Sequence, residues 1–303
     1  MVSDIKREVA RCIEHFGETN GVRRIFWQMD EKVPDLIEGI RQGDDCVVVG
    51  KNVINMEGPY PMKIGMKTGL IHTCSDIVVT GGRPLYGLNA MQVDSLDQAH
   101  EASEMIKKQS NGIGVPIVGG NTQLENGLVP CISFCIFGEL IVDKPILDSG
   151  AKAGNTMVMI GGALSGETGD RIRIANEKFK TFQDVIKEIP VYAAKDASRG
   201  GWFGNLLEMM VKSQTGFNIT SIPYPSFGSY MGNYMTCIDE EDVPTVMEIA
   251  TKYACPVSIM GEVTKEKEIR LGKNALIDEK KMLEIIKDTP FRKPKIGLKS
   301  KKK

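Results

Sequence analysis

Histidine is scarce in this chain and cysteine is unpaired. The three histidines form no HExxH pair, so the sequence carries no metalloprotease signal. Seven cysteines, at 12, 46, 74, 131, 135, 237 and 255, include no CxxC. Cys131 and Cys135 fall in a strand-like run, where four residues span about 13 Å. A zinc site or a disulfide framework is therefore not expected. No stretch reaches the roughly 18 uninterrupted apolar residues that a membrane span needs. The first residues, MVSDIKREVARC, are charged and amphipathic, with no signal-peptide core. Neither GxxxxGK[ST] nor a GxGxxG after a first strand is present, which disfavours the two standard nucleotide folds. There is no internal repeat of 20 to 50 residues, and the only low-complexity stretch is the terminal lysine run. These absences predict a cytoplasmic protein that stays off membranes.

What is present is enough apolar material for two cores: 303 residues, 42% of them hydrophobic. The net charge of -1 gives no whole-molecule attraction to nucleic acid. Charge is unevenly spread, because seven of the 38 basic residues lie between Phe291 and Lys303, leaving 31 against 39 acidic ones ahead of them. That tail, 291–303, reads as a solvated terminus. The stretch VDKPILDSGAKAG, rich in Pro, Gly and charge, is the best boundary between an N-terminal domain (1–145) and a C-terminal one (150–290).

Patterning predicts an α/β (α+β) fold. A first helix capped by Ser3 or Asp4 runs to about Phe16, and FGETNGVRR reads as loop. A strand is expected over 45–50. A helix over 66–80 is stopped by Gly81-Gly82, and Asp76 falls on its polar face with Gly69, His72 and Thr80. LYGLNAMQV reads as a buried strand. SLDQ has the form of a capping box opening a helix to about Lys108, and strands VPIVGG and VPCISFCIFGELIV follow. The second half starts with NTMVMIG and the glycine-rich GGALSGETGD, with helices near 181–188, 201–214 and 240–254 and strands near 217–222, 233–238 and 256–263. Two such layers should leave a cleft between them.

Four polar knots interrupt these apolar elements: Gly43-Asp44-Asp45; Asp76; GGNT at 119–122; and KDASRGG at 195–201, with Asp196 and Ser198 just ahead of a helix. Each has an ordinary reading, respectively a turn, a solvated helix face, a hairpin turn and an N-cap. Together they also make sense as a Mg-phosphate site. Carboxylates suit a hard cation, glycines let backbone approach a phosphate, and free N–H groups at a helix start attract anions.

The order of the knots carries a resemblance. GDDCVVVG, CSDIVVTGGRPLYGLNAMQV, VPIVGGNT, KDASRGGWFGNLLEM and VSIMGEVT, spanning about residues 40–265, resemble the superfamily of aminoimidazole ribonucleotide (AIR) synthetase, formylglycinamidine ribonucleotide synthetase, the hydrogenase maturation dehydratase, selenophosphate synthetase and thiamine-monophosphate kinase. Within it the pattern is most similar to the archaeal branch called methanogenesis marker protein 2. The resemblance implies a two-domain fold whose N-terminal sheet pairs into a dimeric barrel, and ATP-dependent phosphoryl transfer to a small-molecule substrate. It implies ATP and Mg²⁺ as cofactors. Asp44, Asp45, Asp76 and Asp196 would be metal-phosphate ligands, Asp76 and Asp196 the catalytic pair. Nucleotide contacts would come from Asp45, Gly119, Gly120, Asn121, Thr122, Ser198, Gly200 and Gly201, and Lys195 and Arg199 are candidate phosphate contacts. Asn121 stands where several members have an acid, which leaves open a nucleotide-binding regulatory subunit without turnover. No Cys lies between Gly17 and Gly43, where selenophosphate synthetase needs one, and the C-terminal cysteine motif of the hydrogenase protein is absent.

Overall fold

The computed structural model describes residues 2–125, 127–229 and 231–288, so the expected basic tail lies outside the described residues. The chain opens with α1 (Val2–Phe26), then builds β1 (Leu36–Glu38), β2 (Val47–Val49), β3 (Asn52–Pro61), α2 (Met62–Ile64), α3 (Leu70–Val79), β4 (Gly82–Val93), α4 (Leu96–Ile113), β5 (Ile117–Leu124) and β6 (Cys131–Leu140). The second half holds β7 (Thr156–Ile160), α5 (Thr168–Glu188), β8 (Ala193–Asp196), α6 (Gly201–Ser213), β9 (Gly216–Ile219), β10 (Tyr234–Ile238), α7 (Val243–Lys252), β11 (Val257–Thr264), β12 (Ile269–Leu271), β13 (Asn274–Ile277) and α8 (Glu279–Asp288). The strands form two mixed sheets, ordered β1-β2-β3-β6-β4-β5 and β13-β12-β9-β11-β7-β10-β8. Together with the helices they make a mixed α/β fold.

One apolar cluster joins α3, α4, α5 and α7 to the inner face of the first sheet and to one face of the second, running from Leu70, Ile77, Ile106 and Phe134 to Phe182, Tyr234 and Val246. A second cluster packs α1, α6 and α8 on the other face of the second sheet, through Val9, Trp202, Leu206 and Met282. The layers therefore run sheet, helices, sheet, helices. Among the described residues, no helix covers the outer face of the first sheet. There Met56, Leu88 and Cys135 align across β3, β4 and β6, beside the stacked Tyr86 and Phe137 rings, whose centroids are 5.3 Å apart.

Several elements differ from their sequence reading, each for a tertiary reason. The helix α1 continues through FGETNGVRR to Phe26, where packing on α6 overrides the propensity cost of Gly17 and Gly21. All ten residues of α3 are buried, because the helix lies between two sheets; its polar face meets the second sheet instead of water. LYGLNAMQV is not covered on both sides, since Leu85, Tyr86 and Leu88 are exposed on the bare face. GGNT lies within β5, parallel to β4, and makes no hairpin. The helix α5 starts at Thr168, thirteen residues before the expected 181: the side chain of Asp170 accepts from the Glu167 N–H at 3.1 Å in a reciprocal capping box. The SLDQ reading is met, since Ser95 Oγ accepts from the Gln98 N–H at 3.2 Å.

Candidate functional site

Where the two sheets meet α3 and α6, a cavity of about 700 Å³ opens. It is lined by Asp45, Glu57, His72 and Asp76 and also by Arg23, Lys195, Ser198, Arg199 and Asn205. Each side chain is placed by a different element. Asp76 and His72 are one helical turn apart on α3, so both face the same way. Glu57 comes from β3. Asp196 is the last residue of β8, where it pairs in register with Tyr234 of β10. Beyond it the chain turns through Gly200 into α6, whose first turn has no side-chain cap. Asp196 therefore does not serve as an N-cap. Gly201 permits the tight turn: its φ is 72°, and a Cβ there would come within 2.4 Å of the Gly228 backbone.

His72, Asp76 and Asp196 are all buried, and one ligand atom from each lies within 4.8 Å of the other two. Asp76 accepts a hydrogen bond from Asn55 Nδ2 at 2.6 Å. Both carboxylate oxygens of Asp196 are buried without a hydrogen-bond partner. Burial, and then the charges of Asp196 and Asp45, push the Asp76 carboxyl well above its ordinary range. Burial likewise raises Asp196, against the opposing pull of His72, and it raises Glu57. An ionised carboxylate left in this state is costly unless a cation joins it. The donor set, carboxylates with one imidazole, fits a divalent cation such as Mg²⁺ or Mn²⁺.

A second acidic cluster adjoins the first and is neutralised from within. Lys212 Nζ lies 2.9 Å from Asp44, 2.6 Å from Asp148 and 3.0 Å from Glu208. Lys195 Nζ lies 2.9 Å from Asp45 and 3.5 Å from both Asp148 and Glu208. Arg23 reaches in from α1, donating to the Gly43 carbonyl at 2.8 Å. Burial is the largest single influence on Asp44 and works against its charge, but the Lys212 charge, hydrogen bonds with Asp148 and Glu38, and the Lys195 charge together outweigh it and hold the carboxyl well below its usual range. The same balance, burial opposed chiefly by Lys195, leaves Glu208 at about 2. For Lys195, burial is overcome by Asp45, Glu208 and Asp148. Glu38, fully buried, is pushed up by burial and then by Asp44.

The structure thus brings together Asp45, Asp76 and Asp196, and Ser198 and Arg199 line the same cavity as Asp45 and Asp76. Asp44 stands apart, bound to Lys212. Lys195 is a buried ion-pair partner with one edge on the cavity. Gly200 and Gly201 shape the turn into α6. Gly119, Gly120, Asn121 and Thr122 lie on the exposed edge strand β5, and none of them lines the cavity. Sequence reasoning passed over His72, Glu57 and Arg23. His72 had a visible signal, four residues before Asp76 on a helix; Glu57 and Arg23 had none.

Two family models match the chain: AIR synthase related protein, N-terminal domain, over residues 39–140, and the C-terminal domain of the same family over 154–274. An uncharacterized protein of Methanocaldococcus jannaschii is 44% identical over 96% of this chain and 99% of its own. The phosphoribosylformylglycinamidine synthase subunit PurL of Halobacterium salinarum is 25% identical over 73% of this chain, which spans only 38% of that relative's length. Among solved structures, Thermotoga maritima PurL complexed with ATP superposes with a TM-score of 0.64 at 18% identity, covering 82% of this chain and 46% of that one. Hydrogenase maturation protein HypE gives a TM-score of 0.60 at 17% identity, covering 77% of this chain and 87% of its own. These two likenesses show the shared fold.

Proposed function

Since this chain belongs to the family of AIR synthase related proteins, we propose that it is a Mg²⁺-dependent ATP-binding enzyme that transfers or hydrolyses the γ-phosphoryl group to activate a small-molecule substrate. One observation carries the reading: Asp196, buried with neither carboxylate oxygen hydrogen-bonded, stands beside His72 and Asp76, which line the open cavity. His72, Asp76 and Asp196, with Asp45 alongside, would hold the ion. A bound divalent cation would offset negative charge on the phosphates. The chain's own part is positional. Arg23, Arg199 and Ser198 line the same cavity as the acids and orient phosphate oxygens, while the buried carboxylates keep their places without reorganising.

The domains of this reading are the sheet units either side of about residues 145 to 150, and the protein acts as a homodimer. The bare apolar face of the first sheet supports pairing with a second copy, because an uncovered patch of this kind is normally an interface. The exposed GGNT segment fits the same arrangement: it meets nucleotide only where a second copy brings it to a cavity.

A second reading keeps ATP binding and drops turnover, and Asn121 is what favours it. Isothermal titration of ATP with and without Mg²⁺, followed by ADP release, tests both. Mg²⁺-dependent binding is expected, and Asp196→Asn should abolish that dependence. Binding that ignores both the ion and the substitution would overturn the proposal. Binding without ADP release against a substrate panel would favour the second reading.

A further inference from the structure

Asp76 and Asp196 belong to different halves of the chain, on a helix of the first sheet unit and at the end of a strand of the second. A site built from both needs something to fix the distance between their backbones. We infer that Lys178 of α5 is that positioning residue; the inference rests on the cation site proposed above.

Lys178 is fully buried. Its Nζ donates to Ser75 Oγ at 2.9 Å and also to the Gly232 carbonyl. Ser75 directly precedes Asp76. Gly232 in turn donates its N–H to the carbonyl of Ala197, the residue after Asp196, at 3.1 Å, and Ala197 N–H donates to Asn233 at 2.7 Å. One ammonium therefore links the neighbour of one carboxylate to the partner strand of the other. Tyr234 closes the ring. Its hydroxyl accepts from Ser75 Oγ and donates to the Ser75 carbonyl, both at 3.0 Å, while its backbone pairs in register with Asp196. The ammonium sits 4.1 Å from the centre of the Tyr234 ring.

The fold reserves room for this strut. Gly161, at φ 101°, leaves space that a Cβ would take from the Lys178 stem, since it would lie 2.9 Å from Cδ. Burying an ammonium among neutral partners is costly, and an aliphatic side chain would fill the volume at less expense. What a lysine adds is direction: hydrogen bonds to two groups that an apolar chain would leave apart.

The test separates position from charge. A positive charge behind the site opposes cation binding, so removing it should tighten Mn²⁺ binding if charge were all that mattered. Loss of position has the opposite sign. Mn²⁺ affinity of the full-length protein is measured by calorimetry for the wild type, Lys178→Met and Tyr234→Phe, with circular dichroism and the metal-free melting temperature followed alongside. The expected result is Mn²⁺ binding about tenfold to a hundredfold weaker in Lys178→Met, the range seen when groups that orient metal ligands are removed, and a smaller loss in Tyr234→Phe. Metal-free ATP binding should stay unchanged in both. Tyr234→Phe keeps the ring and decides the question if Lys178→Met does not fold. Variants that fold and bind Mn²⁺ as tightly as the wild type, or more tightly, overturn this inference alone. A wild type that binds no Mn²⁺ overturns the cation site and this inference with it.

Discussion

Two acidic clusters lie side by side in this protein and are treated in opposite ways. Around Lys212 and Lys195, the carboxylates of Asp44, Asp45, Asp148 and Glu208 meet cations supplied by the chain. Around Asp196 and Asp76, the carboxylates are as deeply buried, yet neither carboxylate oxygen of Asp196 accepts a hydrogen bond. Where the protein supplies the counter-charge, the acids hold the fold together. Around Asp196 the protein offers only weaker partners, His72 Nε2 at 3.9 Å and the charges of Lys195 and Lys178, and on the reading proposed above a bound cation supplies the rest.

Breaking the first cluster should have the largest effect. Lys212→Met takes the nearest cation from Asp44, Asp148 and Glu208, leaving Lys195, 3.5 Å away, to the last two, and is expected to lower unfolding stability by about 3–5 kcal/mol in urea denaturation. Asp44→Asn removes one charge-assisted partner of Lys212, and a loss of about 2 kcal/mol is expected, with Mn²⁺ affinity unchanged. Asp196→Asn and Asp76→Asn should behave in the reverse sense. Mg²⁺-dependent ATP binding falls at least tenfold, about 1.4 kcal/mol, while the metal-free protein melts no lower than the wild type, because a repulsive buried charge has gone.

The pH response sharpens the same contrast. Burial raises the carboxyls of Asp76, Asp196, Glu57, Glu38 and Asp148 in the folded chain. A carboxyl that titrates higher when folded favours the fold while protonated, so that stability drains away as pH rises from the ordinary carboxyl range through the elevated values. The metal-free melting temperature should fall as pH rises above the ordinary carboxyl range, and Mg²⁺ or Mn²⁺ should flatten the slope. Asp44 and Glu208 are held low, so their contribution is present at neutral pH and lost toward the acid end, near pH 2 for Glu208. The smallest effect on stability is expected away from both clusters. Met56→Glu on the bare sheet face should change folding by no more than about 0.5 kcal/mol and yet shift sedimentation from dimer to monomer.

How much of this could be read from the chain varied with the physics involved. Elements that announce themselves locally were legible: the strand runs of β6, β7 and β10, and the Ser95 cap of α4. The carboxylates of the site were also visible as residues, because acids beside apolar runs stand out. Their division of labour was not. Asp44 and Asp45 are adjacent, yet one bonds Lys212 and the other Lys195, residues more than 140 positions away. Helical periodicity misplaced Asp76 on a solvated face, because a helix between two sheets has no such face. Arg23 was hidden because Gly17 and Gly21 argued for a loop, whereas α1, packed on α6, stays helical to Phe26.

That last element has a practical side. Through Glu8, which accepts from the Phe227 N–H at 2.5 Å, α1 is fastened to the segment that packs against Gly201 at the start of α6. Trimming a recombinant chain to begin near residue 30 would leave both sheets and every acidic ligand in place. It would also remove Arg23 from the lining of the crevice, so a shortened protein that still melts cooperatively would give a misleading picture of which molecules the native one accepts.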